Sequence, residues 1–143
     1  MKKLSPVIFL LIALYIGWNH FLLQKDSAGL IDQNDTSLSL AFDEHRSGFQ
    51  TEGNGVVIRI LPDDNDGSRH QRFILKLKSG QTLLISHNID LAPRLSSLKK
   101  GDVVSFNGVY EWNSKGGVIH WTHHDPNGRH VPGWLQYNGK TYR

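Results

Sequence analysis

Beyond residue 48 the chain alternates apolar and polar side chains with a period of two, which is typical of β-strands that bury one face. Phe73, Leu75 and Leu77, for example, share one side of a strand. Glycine-containing turns separate the alternating segments. The pattern predicts strands over 56–61, 70–78, 81–87, 103–112 and 118–124, and a last hairpin over 133–142 around Asn138-Gly139.

Five short strands with a longer link before the fourth predict a mainly β fold, a small OB-like five-stranded barrel. The link over 88–102 contains Pro93, so we expect no long helix there. Residues 98–104 are typical of the turn that leads into the next strand of such barrels. A small sandwich or another barrel is the alternative. In the OB topology the third and fifth strands run side by side and parallel.

The residues before the first strand predict two further segments. Residues 24–36 are polar and predict a tether. Ser37 is in a position to cap a short helix that runs to Ser47, with Leu38 and Ala41 near its buried face and Gly48 as its stop. The predicted organisation is therefore a membrane-directed segment over 1–23, a tether and short helix over 24–47, and a β-barrel domain over 48–143.

The segment from Leu4 to Leu23 is apolar and has the length of a helix that spans a bilayer. A signal cleavage site needs small residues at the first and third of three positions, and the nearest candidate, Asp26-Ser27-Ala28, has a charged residue at the first. An anchor helix is therefore favoured over a cleaved signal peptide or a soluble buried helix. Lys2 and Lys3 would stay in the cytoplasm. We therefore expect a single-pass inner-membrane protein with its domain in the periplasm, or a periplasmic or secreted protein if the segment is cleaved.

Composition limits the chemistry available to this domain. The chain has 143 residues, enough for one domain, and no cysteine, which excludes disulfides and thiolate metal sites. Residues 24–69 carry 4 basic and 9 acidic side chains, whereas residues 70–143 carry 10 and 4. The second half could attract an anion, or the two halves could neutralise each other. Nucleic acid is a less favoured ligand because no long basic run is present.

Histidine is concentrated in one segment. Four of the eight histidines lie within residues 120–130, together with Asp125. Imidazole and carboxylate are the side chains that bind divalent metals and transfer protons near neutral pH. A hairpin that pairs Trp112 with Gly117 would put His120, Thr122 and His124 outside the core and His123 towards it.

Pairing between strands predicts where a site could form. A two-residue loop at Ser79-Gly80 would make Arg72 face His87. His120 and His124 would lie roughly 13 Å apart on an extended strand, at ~3.3 Å per residue, too far to share one ion. The topology brings four segments to one end of the barrel, namely 63–67, 70–72, 87–90 and 120–130. A site would draw its residues from these segments.

The candidate residues follow from this convergence. Arg72, Arg94 and Arg129 are the candidates for binding an anion, and Asp90 for a general base. Each candidate also has a purely structural alternative, such as a hydrogen-bonded histidine or an ordinary turn. The candidate metal ligands are His70, His87, His120, His124, Asp125 and His130. Zn²⁺ is the favoured cofactor for this nitrogen-rich set, and otherwise we expect none.

Five strings of the chain resemble a known family: LPDD at 61–64, RHQRF at 69–73, HNIDLAPR at 87–94, GGVIHWTHHDP at 116–126 and GW at 133–134. The family comprises small exported bacterial proteins with a domain of unknown function, DUF3465. The resemblance covers about residues 48–142. It implies a compact exported domain, and it supplies neither an activity nor catalytic residues.

Three functions remain open at this level. The first is a membrane-tethered binding domain whose His/Asp-rich pole holds a divalent metal or a small anionic ligand. The second is a metal-dependent hydrolase of phosphodiesters, nuclease-like, that uses the same pole. The third is an envelope module that binds a protein or an oligomer and whose histidines are structural. The positions expected to face outward on the second strand, Arg72, Ile74, Lys76 and Lys78, include no aromatic ring for stacking.

Overall fold

The computed structural model of the protein describes residues 15–16 and 33–143. The predicted anchor over 4–23 therefore lies almost wholly outside the described residues, as do most of the tether and residues 26–28. In the described part of the chain no helix is long and apolar enough to cross a membrane. A helix, α1, spans 33–43. The strands that follow are β1 (Phe49–Ile60), β2 (His70–Lys76), β3 (Thr82–Asn88), β4 (Val103–Glu111), β5 (Val118–His120), β6 (Trp134–Tyr137) and β7 (Lys140–Tyr142).

The first five strands close into a barrel, which confirms the predicted mainly β, OB-like fold. The strands are hydrogen-bonded in the order β1-β2-β3-β5-β4, and β4 pairs again with β1. β3 and β5 are parallel, whereas the other pairs are antiparallel. β1 serves two partners, since Phe49 to Val56 pair with β4 and Val56 to Ile60 pair with β2. The register shift between Val57 and Arg59 bends the strand there.

The inward positions of the strands fill the barrel with apolar side chains, as the alternation predicts. The α1 residues Leu38 and Ala41 are fully buried and cover one end of the barrel. The predicted last hairpin is also present: β6 and β7 pair across Asn138 and Gly139, both with positive φ, beside β4. The fully buried strand residues of the core are Val57, Phe73, Leu75, Leu83, Ile85, Val104, Phe106, Tyr110, Ile119 and Leu135.

The predicted boundaries of the short helix were wrong. Ser37 lies inside α1 instead of capping it, and the helix ends at residue 43, before the predicted Ser47. His45 has a φ of 54° and takes the chain out of the helical conformation, ahead of Gly48. The Asp35 carboxylate fixes the first turns to the β2–β3 hairpin, because it accepts hydrogen bonds from the Ser79 amide at 2.7 Å and the Ser79 hydroxyl at 2.6 Å.

The predicted β2–β3 register was wrong by one residue. The loop has three residues because the Leu77 amide donates to the Gln81 carbonyl at 2.9 Å and Gly80 adopts a φ of 93°. His87 therefore faces Gln71 instead of Arg72. Because paired residues share a face of the sheet, the shift turns His87 from the outer surface into the core.

The fifth strand is shorter than predicted and ends at His120. Trp121 has a φ of 54°, which breaks the period of two. As a result Thr122, predicted to lie outside, is fully buried beside a buried His123, while His124 is exposed. The β4–β5 register itself is confirmed, since Tyr110 pairs with Ile119 and Val109 with His120.

Candidate functional site

The four segments predicted to converge do meet at one end of the barrel. Asp64 forms a β-bridge with His70, Arg69 is paired with Asp90, and the His87 ring contacts the Thr122 hydroxyl. We call this end, formed by residues 61–72, 87–95 and 120–133, the histidine pole. It lies opposite the β2–β3 hairpin because β2 begins at His70 and ends at Lys76.

His87 is the buried centre of the pole. Its Nε2–H donates to the Pro93 carbonyl at 3.1 Å, so its Nδ1 accepts from the Thr122 hydroxyl at 2.8 Å. Burial, with smaller contributions from the nearby His123 and His70, lowers the pKa of His87 to about 4. The ring is therefore neutral, and both of its nitrogens are occupied.

Asp125 organises the loop that follows β5. Its carboxylate accepts hydrogen bonds from the backbone amides of Asn127 at 2.9 Å, Arg129 at 2.7 Å and His130 at 2.9 Å. These amide donors, that of Asn127 first, lower the pKa of Asp125. Its oxygens thus hold the turn from which His130 projects.

Two glycines let this loop lie directly on β4. A Cβ on Gly133 would collide with the Trp121 and Asn107 carbonyl oxygens, and one on Gly108 with the His120 carbonyl. The close approach leaves Trp121 half-buried, where its ring stacks on the His130 ring at a centroid distance of 3.8 Å. The stack places the exposed His130 beside the end of β5.

His120 carries an unsatisfied buried atom. Its Nε2 has no hydrogen-bond partner, alone among the buried side-chain nitrogens and oxygens in the described part of the chain. The nearest acidic group is the Glu111 carboxylate, whose Oε1 lies 3.7 Å away. Burial lowers the pKa of His120, although the Glu111 carboxylate offsets part of that effect, and the nearby His130 and His70 side chains contribute smaller decreases.

The other histidines of the pole that are at least partly exposed have ring nitrogens without a described hydrogen bond. His70 donates from Nδ1 to the Ser68 carbonyl at 2.8 Å, which leaves the lone pair on its Nε2. His130 is exposed, and its ring is held by the stack on Trp121. His124 is exposed as well, and its carbonyl accepts from His123 Nδ1.

The predicted anion-binding arginines are spread across the pole. Arg94 is paired with Asp63. Arg72 donates to the Pro62 carbonyl at 3.1 Å and lies 4.0 Å from the Asp64 carboxylate. Arg129 is exposed on the loop after Asp125.

The Asp90 carboxylate, the predicted general base, is bound by a single partner. It accepts from the Arg69 backbone amide at 2.8 Å and from the Arg69 guanidinium at 2.7 Å. The amide bond, followed by the guanidinium, lowers the pKa of Asp90. Its low basicity and its engaged oxygens fit a structural ion pair.

Within residues 15–16 and 33–143, no three His, Asp or Glu side chains are already arranged to hold one metal ion. His70 and His130 lie near enough to His120 to influence its pKa, and the Glu111 carboxylate, which the sequence reasoning did not name as a site residue, lies 3.7 Å from His120 Nε2. The β4–β5 register already put Glu111 and His120 on the same outer face. Glu111 could have been predicted from this register, because residues that lie diagonally across neighbouring strands, as Glu111 and His120 do, are within reach of each other.

A family model described as "Protein of unknown function (DUF3465)" matches residues 22–143. The chain belongs to this family. The match includes α1 and the whole predicted tether over 24–36, so it begins earlier than the resemblance seen in the sequence. No curated protein matches the chain.

Proposed function

We propose that this DUF3465 protein is a binding protein that takes up one divalent metal ion, most favourably Zn²⁺, at the histidine pole. The proposed ligands are His120, His70 and His130, with the Glu111 carboxylate as an oxygen donor. The observation that carries the proposal is the buried Nε2 of His120 without a partner. A buried polar atom without a hydrogen bond costs free energy, and a bound ion would remove that cost.

The chemistry of His120 suits a metal ligand. Only a neutral imidazole can donate a lone pair, and burial lowers the pKa of His120, which favours the neutral form. Glu111 Oε1 already lies 3.7 Å from Nε2, a separation at which one ion could bridge the two atoms if Zn–N and Zn–O distances are about 2 Å.

Metal binding would require small side-chain movements. His130 is exposed, and rotation about its side-chain bonds would swing its ring from Trp121 towards His120. The bond from His70 Nδ1 to the Ser68 carbonyl leaves Nε2 as its coordinating atom. His87 and Asp125 are left out of the proposed site, since their hydrogen bonds support the loop and use the atoms that an ion would need.

We also propose that the domain works outside the cytoplasm, tethered through the apolar segment over 4–23. Lys2 and Lys3 before that segment support this orientation. A fusion of alkaline phosphatase to residue 143 should be active if the orientation is correct, and inactive if the domain stays in the cytoplasm.

Isothermal titration with Zn²⁺ tests the metal site. The wild-type chain should bind one ion, and His120→Ala should lose at least tenfold in affinity, as expected for loss of a metal ligand. His124→Ala is the matched control, because His124 is an exposed histidine four residues away that is not a proposed ligand. Equal loss in both variants, or no heat of binding in the wild type, would refute the site.

A further inference from the structure

The outer face of the barrel where β1 meets both β2 and β4 carries an exposed apolar and basic surface. Val56 pairs with Lys76 on β2 and with Val103 on β4, so the three side chains form one row across three strands. Paired residues share a face, and here it is the outer one: Val56 is 42% exposed, Val103 is 58% exposed, and Lys76 is exposed. Two valines therefore lie side by side in solvent.

Two more lysines border this row. Lys99 and Lys100 lie on the turn before β4, and Gly101 in the same turn donates to the Val57 carbonyl at 2.8 Å. The described residues offer no ion pair to Lys76, Lys99 or Lys100. The Tyr137 hydroxyl, followed by the Lys99 backbone amide, lowers the pKa of the neighbouring Asp102, and the Lys99 charge makes a smaller contribution. We call Val56, Val103, Lys76, Lys99 and Lys100 the valine–lysine patch.

Lys76, at one edge of the patch, lies close to the point where the polypeptide enters the domain. Asp35, in the first turns of α1, is hydrogen-bonded to Ser79 in the hairpin that follows Lys76. Lys76 is six residues along β2 from His70, or roughly 20 Å at ~3.3 Å per residue. Lys76 is therefore distant from His70, a proposed metal ligand.

We infer that the valine–lysine patch is a contact surface for an anionic phospholipid bilayer. Exposed lysines around an apolar centre match the negative headgroups and the apolar boundary below them. The patch contains no aromatic ring on which a nucleic-acid base could stack. The apolar stretch over 4–23 precedes this entry point in the sequence, which favours a bilayer as the occupant. The inference does not depend on the metal site.

The chain has no cysteine, so a single introduced thiol can be labelled. We would place an environment-sensitive fluorophore on Val103→Cys in the full chain and mix it with vesicles of phosphatidylcholine and phosphatidylglycerol that carry spin-labelled headgroups. The control is Val131→Cys, which is 64% exposed on the histidine pole. The probe at 103 should be quenched several times more strongly than the probe at 131, and less in pure phosphatidylcholine.

A charge variant tests the electrostatic part of the inference. Each lysine near an anionic surface contributes about fivefold to binding, so Lys76→Gln with Lys100→Gln should lower the affinity of the patch for the anionic vesicles by about 30-fold, read from quenching at 103. Equal quenching at 103 and 131 would overturn the inference. So would quenching at 103 that is the same in both vesicle types or unchanged by the lysine substitutions.

Discussion

At the scale of single residues, the histidines of this protein have different roles despite their proximity in sequence. His87 is a neutral, buried member of a hydrogen-bond network with Thr122 and Pro93. His123 is buried too, whereas His120 keeps a buried nitrogen without a partner. The sequence could show that histidines cluster. It could not separate these roles, because they depend on a one-residue register and on the left-handed conformation of Trp121.

The environment of His87 predicts an acid-labile fold. The unfolded chain takes up a proton at His87 below its ordinary pKa of about 6.5, whereas the folded chain does so only near pH 4. The free energy of unfolding should therefore be insensitive to His87 above pH 6.5 and fall as the pH drops from there to 4, by about 3 kcal/mol.

Urea unfolding at pH 7.5 and pH 4.5 would measure this dependence. His87→Gln should be less stable than the wild type at pH 7.5 but lose less of its stability at pH 4.5, because glutamine does not titrate. His124→Gln should follow the wild type at both values. Parallel losses in the wild type and His87→Gln would show that His87 is not the group responsible.

The buried acceptor on His87 gives a second prediction. Thr122→Val keeps the shape of the side chain but leaves His87 Nδ1 without its donor, so we expect a loss of about 1–3 kcal/mol of unfolding free energy at neutral pH. Thr141→Val on the exposed β7 strand is the matched control and should change the stability by less than about 0.5 kcal/mol. Thermal denaturation of the two variants would decide the point.

At the scale of elements, apolar composition and the period of two predicted all five barrel strands and the last hairpin, although β1 begins at Phe49, seven residues before the predicted start. The pattern did not predict element ends. β5 stops at His120 where Trp121 takes a positive φ, and α1 stops at residue 43, before His45. The three-residue loop closed by Gly80 moved the β2–β3 register by one residue. Such ends depend on local backbone conformation, which alternation does not encode.

The close packing of the 121–133 loop on β4 predicts that Gly133 tolerates no side chain. Gly133→Ala would drive a Cβ into the Trp121 and Asn107 carbonyls, so the loop must shift or the fold must lose stability, by about 1–3 kcal/mol. Ser114→Ala in the exposed β4–β5 turn is the control. Amide hydrogen exchange should show faster exchange at Asn127, Arg129 and His130 in Gly133→Ala, and unaltered exchange there would refute the packing argument.

At the scale of the whole molecule, the barrel separates two surfaces of different chemistry. The histidine pole gathers imidazoles and carboxylates, whereas the outer face of β1, β2 and β4 carries the valine–lysine patch. The topology of the OB-like barrel predicted which segments would meet at the pole, since parallel β3 and β5 end there together. It did not predict which side chains would be occupied by hydrogen bonds, such as His87 and Asp125.

Native mass spectrometry of the full chain, purified without a histidine tag, exposed to Zn²⁺ and then dialysed, tests the central claim most directly. The account predicts one ion on the wild-type chain, one on His124→Ala, and none on His120→Ala, with circular dichroism confirming that each variant is folded. A wild-type chain that retains no metal, or a folded His120→Ala variant that retains the ion as firmly as the wild type, would contradict the proposed site.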